Sequence, residues 1–208
     1  MSDLSALLPA DVDAVRSVHL LLAAFNALQP GVFALSGWDL SGALPVAPEA
    51  VAALLSDGDT RWIHRGAHDL MGVDPAAPTS AAGMPRARSL YPPLPEQLAD
   101  PTSFAARLGE LLAVRKTLGL AAARQVDVPL VSHRSVLAMV HELDGGHPQV
   151  SLLNFGPDTA TTTFGSPALT AGAVARDALT HDVLGKVAED GTLEITLAGY
   201  QAACLVFG

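Results

Sequence analysis

The fold is decided by the stretch Ala27-Leu28-Gln29-Pro30-Gly31-Val32-Phe33-Ala34-Leu35-Ser36-Gly37-Trp38-Asp39-Leu40. It predicts the end of a helix, a tight Pro30-Gly31 turn, a short buried strand over 32–36, and a loop that carries Trp38 and Asp39. α/β barrels build their sites in this way, because the strand is rigid and the loop at its carboxyl end holds the chemistry. A barrel needs eight such units, and the sequence offers one. We therefore interpret residues 1–124 as the last strand and helices of a (β/α)8 barrel, and expect the chain to be the back end of something larger.

Composition excludes some classes of partner. The chain has 208 residues, half of them apolar, and a formal net charge of −9. Nucleic acid and anionic membranes need clustered Lys and Arg, so we expect neither as a partner. The single cysteine, Cys204, lies in an alternating apolar run and is predicted to be a small buried hydrophobic residue. One cysteine allows no internal disulfide and no cysteine-based metal site.

The sequence also bears on location. Residues 1–4 lack a basic region and a cleavable apolar stretch, so we expect no signal peptide. The most apolar segment, Val18–Trp38, is interrupted by polar residues and Pro30, and falls short of the roughly 20 apolar residues of a membrane span. We therefore expect a soluble, cytoplasmic protein.

The first 124 residues show helical spacing and one irregular segment. Apolar residues predict a helix from about Asp11 to Pro30, and a second, short helix starts at Pro48. A stretch rich in Pro, Ala, Gly and Ser predicts a long irregular loop over about 73–101. Thr102 or Ser103 is expected to cap a helix that Gly119 ends. Glu110 and Arg115 are expected on the solvent side of that helix.

The period changes from helical to alternating after residue 124. The predicted strands are Val126–Val131, Ser135–Glu142, Gln149–Phe155, Thr159–Phe164, Asp182–Lys186, Leu193–Leu197 and Tyr200–Phe207. Asp144-Gly145-Gly146 predicts a hairpin between the second and third strands, and Asp190-Gly191 predicts another turn. Short strands separated by turns are typical of an antiparallel β-sandwich, which we assign to residues 125–208.

Several ordered motifs resemble a known family. They are Pro9–Val12, His19–Ala23, Phe25–Leu40, Gly58–Ile63, Gly83–Ala87, Leu94–Leu98, Ala121–Asp127, Met139–Leu143 and Leu153–Phe155. Together they resemble the C-terminal part of α-amylase-superfamily enzymes (glycoside hydrolase family 13), in the branch of trehalose synthase, a maltose α-D-glucosyltransferase. The resemblance covers nearly the whole chain. It implies an α-glucoside of the maltose or trehalose class as substrate of the full enzyme, and the missing N-terminal barrel portion as a partner.

The family's catalytic residues have no counterpart here. The resemblance implies an aspartate nucleophile, a glutamate acid/base and a second aspartate marked by an Asn-His-Asp motif, which does not occur in this sequence. The pairs His68-Asp69 and His181-Asp182 follow no apolar barrel strand, and His141-Glu142 sits at a strand end. We interpret all three as solvated polar pairs, and assign no catalytic residue, no metal and no cofactor.

Two groups are predicted to contact substrate. Trp38 and Asp39 follow the presumed barrel strand, and an aromatic ring beside a carboxylate suits a sugar. The alternative is that Trp38 packs over the rim and Asp39 caps the next turn. Asp59, Arg61 and Trp62 form the second group. The alternative there is a loop salt bridge with Trp62 packed beneath it.

Three hypotheses about function follow. The chain is the C-terminal piece of a trehalose synthase-like enzyme and inactive alone, or a stand-alone carbohydrate-binding module, or a non-catalytic chain that completes another chain's barrel. The third is favoured by the apolar helix over about Val12–Leu28, which would expose apolar surface without neighbours.

Overall fold

The computed structural model describes residues 9–208, so the predicted lack of a signal peptide in residues 1–4 lies outside the described part. Contacts divide the chain into two compact units. Of the described residues, the first unit contains 9–12 and 34–107, and the second contains 13–33 and 108–208. The predicted domain boundary after residue 124 stays a prediction.

The first unit holds short helices joined by irregular backbone. It contains helices α2 (Gly37–Ser41) and α3 (Leu94–Ala99), the first turn of α4 (Phe104–Thr117) and the first turn of α1 (Pro9–Ala27). Two 3₁₀ helices lie at Pro48–Leu54 and Thr60–His64. The predicted helix at Pro48 is thus a 3₁₀ helix, and it is kinked at Val51. A small core forms around Val46, Val51 and Ala87.

The predicted strand over 32–36 is wrong. These residues form no strand, and the side chain of Val32 is 96% exposed. A parallel barrel strand is held by hydrogen bonds to strands on both sides, and no strand pairs with this segment within residues 9–208. The predicted loop after it is instead the short helix α2, capped by Ser36. The (β/α)8-barrel interpretation of residues 1–124 is therefore not confirmed.

Gln97 organises the end of the irregular segment. Its side chain is fully buried, and Nε2 donates hydrogen bonds to the carbonyls of Leu40 (2.7 Å) and Pro92 (2.8 Å). Its Oε1 accepts from the Ala105 N–H at 3.1 Å. One side-chain amide thereby gives hydrogen-bond partners to buried backbone groups of three segments that are separated in sequence. Irregular backbone prevails over 73–93, as predicted, but Leu94–Ala99 is helical.

The second unit contains a β-sandwich, as the alternation after residue 124 predicts. Its strands are β1 (Arg124–Asp127), β2 (Val136–Glu142), β3 (Pro148–Asn154), β4 (Ala160–Gly165), β5 (Val174–Asp177), β6 (Val183–Lys186), β7 (Thr192–Leu197) and β8 (Ala202–Phe207). One sheet has the order β1-β2-β3-β8-β5-β6, and β4 pairs with β7 in the other. Every pair of neighbouring strands among these eight is antiparallel, and the predicted hairpin joins β2 to β3. Of these strands, β5 was not predicted.

The two sheets share one core. Val140, Leu152 and Leu205 of the large sheet pack in the same cluster as Phe164 and Ile195 of the small one. The opposite face of the large sheet lies against helix α1 (Pro9–Ala27), whose Phe25 ring meets Phe155 edge to face at 6.2 Å. Burial of both faces explains why β3 is buried along almost its whole length.

Buried polar groups tie α1 to this sheet and to α4. Ser151 Oγ donates to the Leu28 carbonyl at 2.9 Å. Arg115 donates to the carbonyls of Ala27, Gln29 and Gly31 at the end of α1. Arg115 is buried, so its predicted position on the solvent side of α4 is wrong. Carbonyl groups at the end of a helix have no N–H partner within that helix, and here the Arg115 guanidinium supplies the missing donors. Glu110 is exposed, as predicted.

His141 and Cys204 also lie on the helix-covered face. The predicted solvated pair His141-Glu142 is wrong for His141, which is fully buried, while Glu142 is exposed. Alternation places the His141 side chain on this face, and Glu142 on the other. Cys204 is buried and free, as predicted, and burial raises the pKa of its thiol to about 12.

Candidate functional site

Trp38 is held by a capped helix. The side chain of Ser36 accepts from the Asp39 N–H at the N-terminus of α2, and places Trp38 on its first turn. The indole Nε1 donates to the Gly66 carbonyl at 2.7 Å, and the ring is tilted against His68 with centroids 5.5 Å apart. The half-buried Trp38 side chain is therefore held by a hydrogen bond at Nε1 and by the ring contact with His68.

Asp39 completes the cap of α2. One of its carboxylate oxygens accepts from the Ser36 N–H at 3.0 Å and from Ser36 Oγ at 2.7 Å. This is the capping arrangement that the sequence left open as the alternative to substrate contact. A role for Asp39 in substrate binding stays a prediction.

Asp59 forms a salt bridge with Arg61, and the Trp62 ring contacts Arg65. Arg61 donates to both Asp59 oxygens at 2.7 and 2.8 Å, and its hydrogen bond is the main reason that the pKa of Asp59 is lowered to about 2. The Arg65 guanidinium lies 5.2 Å from the centre of the Trp62 ring. The structure therefore shows the loop salt bridge that the sequence left open, and substrate contact by this group stays a prediction.

A polar cavity begins at His68, beside Trp38. It has a volume of about 270 Å³, and its lining includes His68, Asp69, Asp74, Thr79, Ser80 and Arg86. Gly37 is what lets His68 come so close to α2, because a Cβ at that position would lie 2.9 Å from His68 Nε2. His68 thereby belongs both to the indole contact and to the cavity wall.

Asp69 and Arg86 fix the floor of this cavity. Asp69 accepts hydrogen bonds from the Val73 N–H at 3.0 Å and the Asp74 N–H at 2.8 Å, and Arg86 Nη2 lies 3.3 Å from its Oδ2. The Val73 bond, the Asp74 bond and Arg86 together lower the pKa of Asp69. Arg86 also donates to the carbonyls of Asp74 and Ala77. A fixed carboxylate and a fixed guanidinium therefore face one small space.

The polar lining of the cavity suits ligand binding. Imidazole, hydroxyl, carboxylate and guanidinium groups offer both donors and acceptors to a hydroxylated ligand. Within residues 9–208, no group of three His, Cys, Asp or Glu side chains could hold a metal ion.

Sequence reasoning missed the cavity residues. His68 and Asp69 were interpreted as a solvated pair, and Arg86 was noted only within the motif Gly83–Ala87. That motif was the available signal, since it places an arginine just after a turn at Gly83, where φ is +78°. The other pair, His181-Asp182, is exposed in the turn between β5 and β6, as predicted.

Comparison with known proteins identifies the fold. No family model and no curated protein matches the chain by sequence. Among solved structures, AmyP in complex with maltose has a TM-score of 0.57 and 15% identity, over 97% of this chain and 36% of its own. A variant of the trehalulose synthase MutB gives 0.59 and 15%, over 91% and 38%. A variant of isomaltulose synthase from Erwinia rhapontici NX5, in complex with D-glucose, gives 0.59 and 14%, over 92% and 38%.

These likenesses define a class of fold. At 14–15% identity, the chain shares its fold with part of each of these three enzymes. The chain spans well under half the length of the solved structures it matches. In the part that the structure describes, no helix has the length and apolar character that crossing a bilayer requires.

Proposed function

We propose that this chain is the C-terminal portion of an α-amylase-superfamily enzyme acting on α-glucosides, of the trehalose synthase type. The observation that carries the proposal is the shared fold over 91–97% of this chain. The ordered motifs from Ala27 to Phe155 support the same assignment. In the full enzyme, maltose is converted to trehalose by moving one glucosyl group within the active site, in the cytoplasm.

The proposal gives this chain a substrate-contacting role without catalysis. The catalytic carboxylates belong to the N-terminal barrel portion, which is the proposed partner. The cavity at His68, Asp69 and Arg86 contributes hydrogen bonds to sugar hydroxyls, and Trp38 contributes an aromatic edge. No cofactor takes part in the proposed reaction.

Sugar binding is tested by the fluorescence of Trp38. The chain has two tryptophans, so the Trp62→Phe variant leaves Trp38 as the reporter. We expect a saturable change with maltose, and an affinity about tenfold weaker in His68→Ala, which is about 1.4 kcal/mol. His64→Ala is the matched control, since His64 is exposed on the neighbouring 3₁₀ helix. Equal affinities in the two variants would exclude the cavity as a sugar site.

The relation to a longer enzyme is tested separately. We expect an antibody to residues 125–208 to detect a polypeptide far above 21.4 kDa in the source cells. A band at 21.4 kDa would contradict the proposal that this chain is made as part of the complete enzyme.

A second candidate function is a non-catalytic chain that completes another protein's barrel or binds carbohydrate. The observation that favours it is the apolar surface of α1, where Ala14, Val15, Val18 and Leu22 line a groove of about 400 Å³. Val15 is 40% and Leu22 48% exposed. Exposed apolar patches of this kind mark protein contacts. Monomeric sedimentation of the chain, unchanged by Leu22→Lys, would argue against a barrel-completing role.

A further inference from the structure

The β-sandwich contains a second polar cleft, independent of the Trp38 cavity. It has a volume of about 460 Å³ and lies where β1, the β2–β3 hairpin and the loop after β4 meet. The side chains that matter are Arg124, Val126, Asp127, Glu142, Pro148 and Ser166. The volume falls within the range of about 300–1,000 Å³ that is typical of small-molecule sites.

Sheet register builds this cleft. Arg124 pairs with Glu142, and Glu142 pairs with Pro148, so three neighbouring strands bring these residues into one row. The register of β1 shifts between Gln125 and Asp127, which is a β-bulge. Bulges redirect side chains, and here Val126 packs on the inter-sheet core while Asp127 reaches the loop after β4.

Two polar interactions hold the walls. Ser166 Oγ donates to Asp127 Oδ2 at 2.6 Å, and Arg124 Nη2 donates to Glu142 Oε1 at 3.1 Å. Within residues 9–208, the second carboxylate oxygen of each acid, Asp127 Oδ1 and Glu142 Oε2, accepts no hydrogen bond. The remaining N–H groups of Arg124 donate none there. The cleft therefore offers a ligand both hydrogen-bond acceptors, from the two carboxylates, and hydrogen-bond donors, from the guanidinium.

The mixture of groups selects the ligand class. Hydroxyl groups donate to carboxylates and accept from guanidinium, whereas a protonated amine can only donate. Val126 and Pro148 supply apolar walls for the C–H faces of a ring. We propose that this cleft binds a neutral polyhydroxylated ligand of mono- or disaccharide size.

The buried His141 takes no part in this site. His141 borders the cleft, but the register of β2 places the His141 side chain on the opposite face of the sheet. There its Nδ1 bonds Gln149 Oε1 at 2.8 Å. The proposal rests on the groups of the cleft alone, and does not depend on the proposed function.

The test is a residue-resolved NMR titration of the whole 208-residue chain. Maltose and glucose are expected to shift the amide signals of residues 124–127 and 142–147 and of Ser166 and Ala168, with a Kd of about 1–10 mM. Ala168→Trp fills the cleft from an exposed position, and is expected to weaken binding at least about tenfold. Glu142→Gln is expected to weaken it less, and Glu194→Gln, exposed on β7, leaves it unchanged.

Three outcomes would overturn the proposal. They are the absence of sugar-dependent shifts at these amides, equal affinity in Ala168→Trp and the original chain, and shifts with putrescine but with neither sugar. The last would assign the cleft to cationic amines. Binding at the Trp38 cavity is distinguished by the Trp38 indole signal, since the cleft has no tryptophan in its lining. Either site can therefore fail alone.

Discussion

At the scale of single residues, His141 makes stability depend on pH. Its Nδ1 bonds Gln149, whose Nε2 donates to Ser151, so the imidazole Nδ1–H is the donor to Gln149. Nε2 is buried, with no hydrogen-bond partner within residues 9–208. Burial lowers the pKa of His141, because the charged form would lack solvation.

The sign of the effect follows from linkage. A folded-state pKa below the unfolded value of about 6.5 means that the unfolded chain binds more protons. We therefore expect the free energy of unfolding to be highest above about pH 6.5 and to fall as the pH drops below it. His141→Gln should flatten this slope, as measured by urea unfolding at several pH values. His181→Gln is the exposed control, and an equal slope in His141→Gln would contradict the assignment.

Arg115 carries a second prediction at this scale. Its guanidinium is the partner of three carbonyls at the end of α1, and the residue is only 8% exposed. Arg115→Met leaves those carbonyls without their donor, and we expect a loss of about 3 kcal/mol in the free energy of unfolding. Lys116→Met, at the exposed neighbour on α4, should change it by less than about 0.5 kcal/mol. Similar values for the two variants would show that the carbonyls find other partners.

At the scale of elements, two glycines make a matched pair. A Cβ on Gly199, in the turn before β8, would lie 1.9 Å from the Pro157 carbonyl oxygen. A Cβ on Gly109, in helix α4, would meet nothing within 4 Å. We expect Gly199→Ala to lower stability by more than about 3 kcal/mol, because backbone must move. Gly109→Ala should raise it by about 0.5–1 kcal/mol through helix propensity. Chemical denaturation checks both signs, and a tolerated Gly199→Ala would mean that the turn can open.

Local sequence patterns predicted an element correctly where the conformation of that element depends on its own residues. The alternation of Leu193–Leu197 and the glycines after Asp144 predicted a strand and a hairpin that the structure confirms. The strand Val174–Asp177 was not predicted, because its two apolar residues are followed by two charged residues and the run shows no alternation. The strand predicted at 32–36 does not form. A parallel strand needs hydrogen bonds to neighbouring strands, and the sequence of the segment itself does not show whether those strands are present.

At the scale of the whole molecule, the two units differ in core size. The sandwich buries a large cluster that includes Leu152, Phe164, Ile195 and Leu205, whereas the core around Val46 in the first unit is small. We expect amide hydrogens in 34–93 to exchange faster than those in 136–207, since local opening costs less where fewer apolar groups are buried. Hydrogen exchange read by mass spectrometry checks this, and equal protection of the two segments would contradict it.

The sequence by itself determined the sandwich, the α4 helix and the burial of Cys204, because each follows from spacing within a few residues. The tertiary structure alone decided the burial of His141 and Arg115, since both are covered by segments distant in sequence. It also decided the cavity at His68, Asp69 and Arg86. A polar side chain can be buried only where folding brings it a hydrogen-bond partner. For His141 and Arg115 that partner is distant in sequence, so the spacing of residues cannot predict it.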